Sequence, residues 1–241
     1  MSLPGHAAER MRRFYKAVDV TPAEGGGFAV RLDARQPRSP QGQPLVLPTE
    51  PLARLAADEW AAQGDNILPE TMPATQLAWG ALALTDEAAR GGAVARIASF
   101  AETDLVCYFA EGPASLVERQ ERRWGPVIDW ACEALGAGFH RTQGIVHQPQ
   151  PAATIARIEA LAAAESDFAL AGLSAAAALV GSAILAFALR RGELTAEAAF
   201  DLSRLDETFQ EERWGVDAEA AARADAMARE AVALGRWFAA L

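Results

Sequence analysis

Histidine and cysteine are scarce in this chain of 241 residues: His6, His140 and His147, Cys107 and Cys132 are all it has. Two lone cysteines far apart in a chain this long read as small buried apolar residues, and nothing supports a disulfide between them. A zinc site wants His and Cys closely spaced on a fixed frame, whereas His140 and His147 stand seven apart in loop-like sequence. No serine lies in a Gly-x-Ser-x-Gly elbow. Gly25, Gly26 and Gly27 precede a strand-like run rather than a helix, and no Lys-Ser/Thr pair follows. They read as a hairpin loop, not as a phosphate cradle. The residues offer no catalytic constellation, no metal set and no cofactor motif. A non-enzymatic protein is expected.

Positive charge is also short. Against 32 Asp and Glu there are 22 Lys and Arg, a formal net charge of −10. Nucleic acid and anionic membrane surfaces reward cationic neutralisation, so both are disfavoured as general partners. A basic or mixed protein surface is the natural complement. One long charge-free run exists, Phe168–Leu189. It is long enough for a bilayer at about 20 residues. It is also rich in Ala, with Gly172, Ser174, Gly181 and Ser182, and Arg190 and Arg191 follow. A buried core helix is the reading it favours over a membrane span. Arg10, Arg12, Arg13 and Lys16 surround little apolar sequence, so no signal-peptide core is present and a reducing cytoplasm is the default.

Apolar residues make up 51% and charged residues 22% of the chain, the balance of a globular protein with a core. The first fifty residues read as a small antiparallel β unit. Phe14–Val20 is strand-like, Phe28, Val30 and Leu32 alternate, Arg35–Pro44 is turn-rich, and Leu45–Leu47 is a third short strand. From Thr49 the period becomes helical. Thr49 suits an N-cap, Pro51 the first turn, and Gln63-Gly64 a helix end. Further helices are expected over Ala74–Ala89, Ala93–Cys107, Ala114–Leu135, Ala152–Ala164, Leu173–Arg190, Thr195–Trp214 and Asp217–Ala239. Pro126 should kink or end the third of these. The piece from Gly136 to His147 reads as extended, either pairing with the β unit or bridging helical layers. The fold class is α+β, mainly α: a small N-terminal antiparallel β domain over 1–48, then a larger helical domain over 49–241.

The acids are unevenly placed. Between Asp201 and Glu219 seven acids face two arginines, a net −5. On one continuous helix Leu202, Leu205 and Phe209 form a stripe with Ala198. Glu207, Glu211 and Trp214 then fall opposite it and Asp206 beside it. Glu207 and Glu211 are a like-charge i,i+4 pair, which costs a few tenths of a kcal/mol. The set is read as a partner-binding face of Glu207, Glu211, Trp214 and Asp206, with a plain solvated surface as the bland reading. Asp206 alone also suits a buried polar group or a support for that face. A third reading is a metal-dependent enzyme holding a divalent cation at Asp206, Glu207 and Glu211. Of the six tryptophans, Trp60 reads as packed against the β unit, and Trp124 and Trp130 as core. Trp79 and Trp237 carry no distinguishing context.

Several strings, in order over nearly the whole chain, are similar to the assembly chaperones of the ATP synthase alpha subunit found in mitochondria and alpha-proteobacteria. They are Arg13-Phe14-Tyr15-Lys16, Gly27-Phe28 with Leu32-Asp33, Leu47-Pro48-Thr49 leading to Glu59-Trp60 and Gln63, and Met72-Pro73 with Thr75. Then come Thr103-Asp104-Leu105 with Cys107-Tyr108, Gln120, Trp124, Asp206-Glu207, Gln210 and Trp214-Gly215. The resemblance implies a β domain before a helical one and no enzymatic activity. It implies binding of the free alpha subunit and shielding of the surface later met by the beta subunit; a monomer without cofactor, not inserted in the membrane, is expected. It further implies that Glu207 is functionally sensitive and that Trp60 matters for folding. The family's Cys-Tyr-Arg-Ala string has Phe109 in place of the Arg, which puts a polar role there in doubt. Arginine over lysine and much alanine suggest a bacterial member, cytoplasmic; a eukaryotic one would sit in the mitochondrial matrix.

Overall fold

The computed structural model describes residues 11–144 and 146–241, so His6 and Arg10 lie outside the described residues. Its contacts divide the chain into two compact units, residues up to Leu82 with Ala240 and Leu241, and Ala83–Ala239. The first unit therefore takes in two helices beyond the boundary at 48 that composition suggests. The class is the expected one, mainly helical with a small antiparallel sheet.

In the first unit, β1 (Val18–Pro22), β2 (Phe28–Leu32) and β3 (Val46–Leu47) form an antiparallel sheet in the order β1-β2-β3. Pro22 pairs with Phe28, so the glycines make the hairpin loop between β1 and β2. Gly27 is required there: at φ +79° an added Cβ would lie 2.6 Å from the Leu47 carbonyl oxygen. The segment Phe14–Ala17 is not strand, although Phe14–Val20 reads as strand-like. Lys16 and Ala17 donate their backbone N–H groups to the Asp33 carboxylate instead of to a neighbouring strand, and Tyr15 turns inward to donate its hydroxyl to the Trp60 carbonyl at 2.7 Å.

Helix α1 (Glu50–Ala61) starts as read. Thr49 Oγ1 accepts from Leu52 N at 3.3 Å and Pro51 sits in the first turn. Leu52, Ala53, Ala56, Ala57 and Trp60 form its buried stripe, which packs on all three strands. Full burial of a side chain such as Leu52 is worth about 1.5–3 kcal/mol. The helix stops at Ala61 without a glycine cap. Gln63 closes it by donating to the Glu59 carbonyl while accepting from Leu68 N. Glu59 then begins α2 (Pro73–Leu82), its two carboxylate oxygens accepting from Ala74 N, Thr75 N and the Thr75 hydroxyl at 2.6 to 2.8 Å.

In the second unit, α3 (Glu87–Glu102) packs against α5 (Ala152–Ala163), α6 (Asp167–Val180) and α7 (Ala183–Arg190). Its start at Asp86, whose carboxylate accepts from Ala89 N, moves the expected helix boundary from 93 to 87. Strand β4 (Tyr108–Phe109) pairs in parallel with β5 (Thr142–Gln143), so the extended piece before α5 joins this unit. Between them α4 (Ala114–Trp130) runs through Pro126 without ending, then widens into a π turn over Ala131–Leu135. Two long helices of the sequence reading are each broken. Gly181, at φ +64°, ends α6 and Ser182 caps α7, accepting from Leu185 N at 3.0 Å. Arg204 separates α8 (Ala196–Ser203) from α9 (Leu205–Trp214). The charge-free run is thus two short helices, and no helix among the described residues is long and apolar enough to cross a membrane.

The small residues of α6 serve packing. The last helix, α10 (Ala218–Ala240), lays Trp237 against Gly172, stacks it on Phe168 at 6.1 Å, and donates its indole N–H to the Phe168 carbonyl. Trp237 and Trp124 are fully buried, while Trp130 is half-buried.

Candidate functional site

The acids of α9 do not share one environment. Leu205 and Phe209 are buried with Leu202, as the stripe requires. Glu211 turns back onto the molecule, its carboxylate 2.6 Å from the Arg204 guanidinium, both half-buried. Glu212 meets Arg119 of α4 through two bonds at 2.9 and 2.8 Å. That fork, the strong geometry of such pairs, holds the Glu212 carboxyl below the usual carboxylate range. Both Arg119 and Arg213 also lie over the Phe209 ring, at 5.1 and 4.3 Å.

Asp206 and Glu207 differ. Both line a hollow of about 410 Å³ walled by Phe100, Thr103, Leu105, Tyr108, Trp124, Gly181 and Ser203. Asp206 accepts a hydrogen bond from the Gln120 amide at 2.8 Å, and Glu207 has no ion-pair partner among the described residues. Burial is the main reason the Asp206 carboxyl is raised; the Gln120 hydrogen bond opposes this and repulsion from Glu207 adds to it. The hollow therefore offers two uncompensated carboxylates against aromatic walls. Trp214, 78% exposed at the end of α9, does not line it. Trp60 belongs to the first unit and is buried.

The four residues of α9 thus separate: Asp206 and Glu207 come together, Glu211 is engaged by Arg204, and Trp214 stands at the helix end. The three acids expected around a divalent cation do not assemble, and among the described residues no group of three His, Cys, Asp or Glu is placed to hold a metal. Gln120 and the walls from Phe100 to Tyr108 were not singled out for this site from sequence. They sit about 80 to 110 residues from Asp206, and only the folded chain brings them near.

Most residues that carry the family resemblance have structural duties. Asp33, Glu59, Gln63, Asp104 and Gln120 each hold backbone groups, the Thr75 hydroxyl donates to Glu59, and Trp124 donates to the Leu202 carbonyl. Glu207, Gln210 and Trp214 are exposed and make no side-chain hydrogen bond with the described residues.

The family described as ATP12 chaperone protein matches residues 12–132. The mitochondrial protein atp12 of Schizosaccharomyces pombe is 26% identical over 215 residues, covering 85% of this chain and 74% of its own. The crystal structure of Atp12 from Paracoccus denitrificans is 38% identical and superimposes with a TM-score of 0.87 over 95% of this chain and 97% of that one. An Asp-to-Lys mutant of the Paracoccus protein gives 0.85 at 39% identity over the same shares. Fold and sequence place the molecule among chaperone proteins. Within them, the chain belongs to the ATP12 chaperone family.

Proposed function

We propose that this protein is a non-catalytic, cytoplasmic holding chaperone for the free alpha subunit of ATP synthase, keeping it from aggregating until it pairs with the beta subunit. The observation that carries the reading is the division of charge on α9. Glu211 and Glu212 are neutralised within the chain, while Glu207 and Asp206 face an aromatic-walled hollow with no cation of their own. A half-buried and an exposed carboxylate side by side without a counter-charge suit a basic group of a partner. Trp214 adds an exposed aromatic face, the residue type most enriched at interaction hot spots. The client supplies the arginine or lysine and the apolar surface. Membership of the ATP12 family supports an assembly role, and the alpha subunit is the client that the sequence strings imply.

The test is aggregation of purified alpha subunit, with and without an equimolar amount of this protein and without ATP. Suppressed light scattering and a complex that survives gel filtration are expected. Unchanged aggregation with no complex overturns the reading. Glu207→Lys should weaken the complex at least tenfold with an unaltered circular dichroism spectrum; loss of folding would make Glu207 a structural residue instead.

A further inference from the structure

The first unit carries a second concave surface. A groove of about 830 Å³ has Leu32, Trp60 and Ile67, all buried, among its walls, with Leu68, Pro69 and Trp79 beside them. Met11 and Phe14 stand at its rim, 62% and 49% exposed, and extend its apolar walls to the surface. The rim is also cationic. Arg35 lies 6.0 Å over the Phe14 ring and forms no ion pair among the described residues, although it adds to the backbone N–H groups of Ala17 and Lys16 in lowering the Asp33 carboxyl. Among the described residues, Arg38 donates only to the Gly42 carbonyl. Against these two arginines the groove has, among the described residues that line it, one acid, Glu70.

We propose that this groove docks an apolar segment of the unassembled client polypeptide that bears a carboxylate, its apolar side chains against Phe14, Met11 and Trp79 and its acid between Arg35 and Arg38. The occupant follows from charge complementarity. Apolar walls select a segment that would otherwise aggregate, and unpaired guanidinium groups select an acid, which they bind bidentately. The proposal rests on the holding role set out above. It adds a second anchoring point of opposite sign to the acidic hollow, so that a client segment is read by its charge as well as its apolarity.

The experiment places p-benzoylphenylalanine at position 14 of the full chain, mixes it with purified alpha subunit and irradiates the complex. One cross-linked client peptide is expected, apolar and containing Asp or Glu. Arg35→Glu combined with Arg38→Glu, two exposed substitutions, should weaken the complex about tenfold with unchanged circular dichroism. A cross-link to this chain's own first ten residues, a cross-link between two copies of the chain, or none at all while the complex stays intact overturns the groove proposal and leaves the holding reading in place. Absence of any complex with the unsubstituted chain overturns both.

Discussion

The Gln120 side chain on α4 joins two elements, its amide donating to Asp206 Oδ1 on α9 and its carbonyl accepting from Ala110 N, each at 2.8 Å. A fully buried Gln so bonded fixes α9 relative to the β4 segment, and with it the shape of the acidic hollow. Gln120→Leu leaves the Ala110 N–H and the half-buried Asp206 without partners. A loss of about 1–3 kcal/mol is expected in urea unfolding. Client binding should fall even under conditions where the variant is fully folded.

Asp104 gives the protein a pH signature. Its carboxylate is wholly buried, accepting from Val106 N and Ile184 N, and burial pushes its pKa up to about 7 against those hydrogen bonds. In the unfolded chain it ionises near its ordinary value, about 3.9. Between these values the folded state holds the extra proton, so this group's contribution to stability falls as pH rises from about 4 to about 7. Asp104→Asn removes that slope. The difference in unfolding free energy between the two proteins, measured by denaturant titration at several pH values, should change across this window and level off above it.

Gly172 is fitted to Trp237. A Cβ there would lie 2.8 Å from the indole ring and 2.9 Å from Phe238 Cε1. Gly172→Ala is expected to cost about 1–3 kcal/mol through overpacking. Gly91→Ala in α3 meets nothing within 4 Å and should instead gain up to about 1 kcal/mol from helix propensity. Thermal unfolding of the pair separates packing from propensity.

Glu211 and Glu207 should respond in opposite ways. Glu211→Gln weakens the half-buried pair with Arg204 and is expected to cost about 1 kcal/mol of stability. Glu207→Gln, exposed and without an ion-pair partner among the described residues, should leave the unfolding curve within about 0.5 kcal/mol while weakening the client complex.

Periodicity made the sheet, the hairpin glycines and the α1 cap legible, because each rests on residues within a few positions of one another. The breaks in the long helices were harder to see. Gly181-Ser182 reads as two small core residues unless the left-handed φ of one and the capping hydroxyl of the other are taken together. The stop at Arg204 follows Ser203, whose hydroxyl bonds back to the Phe200 carbonyl and competes with the helix. Pro126 carried a stop signal that tertiary packing overrode. At the candidate site, Asp206 and Glu207 were visible as acids on a helix. That Glu211 is spent on Arg204, that Glu212 is spent on Arg119, and that Gln120 supports Asp206 depend on residues up to 93 positions apart, which no local pattern encodes.

The exposure of Trp214 has an optical consequence. Trp60, Trp124 and Trp237 are 4% exposed or less and Trp79 and Trp130 are half-buried, whereas Trp214 is 78% exposed at the end of α9. The long-wavelength edge of the protein's fluorescence, and the part that acrylamide quenches most readily, therefore comes chiefly from this one indole. Anything that settles over the end of α9 shifts that emission to the blue and shields it from the quencher, so the chain carries its own label-free gauge of occupancy.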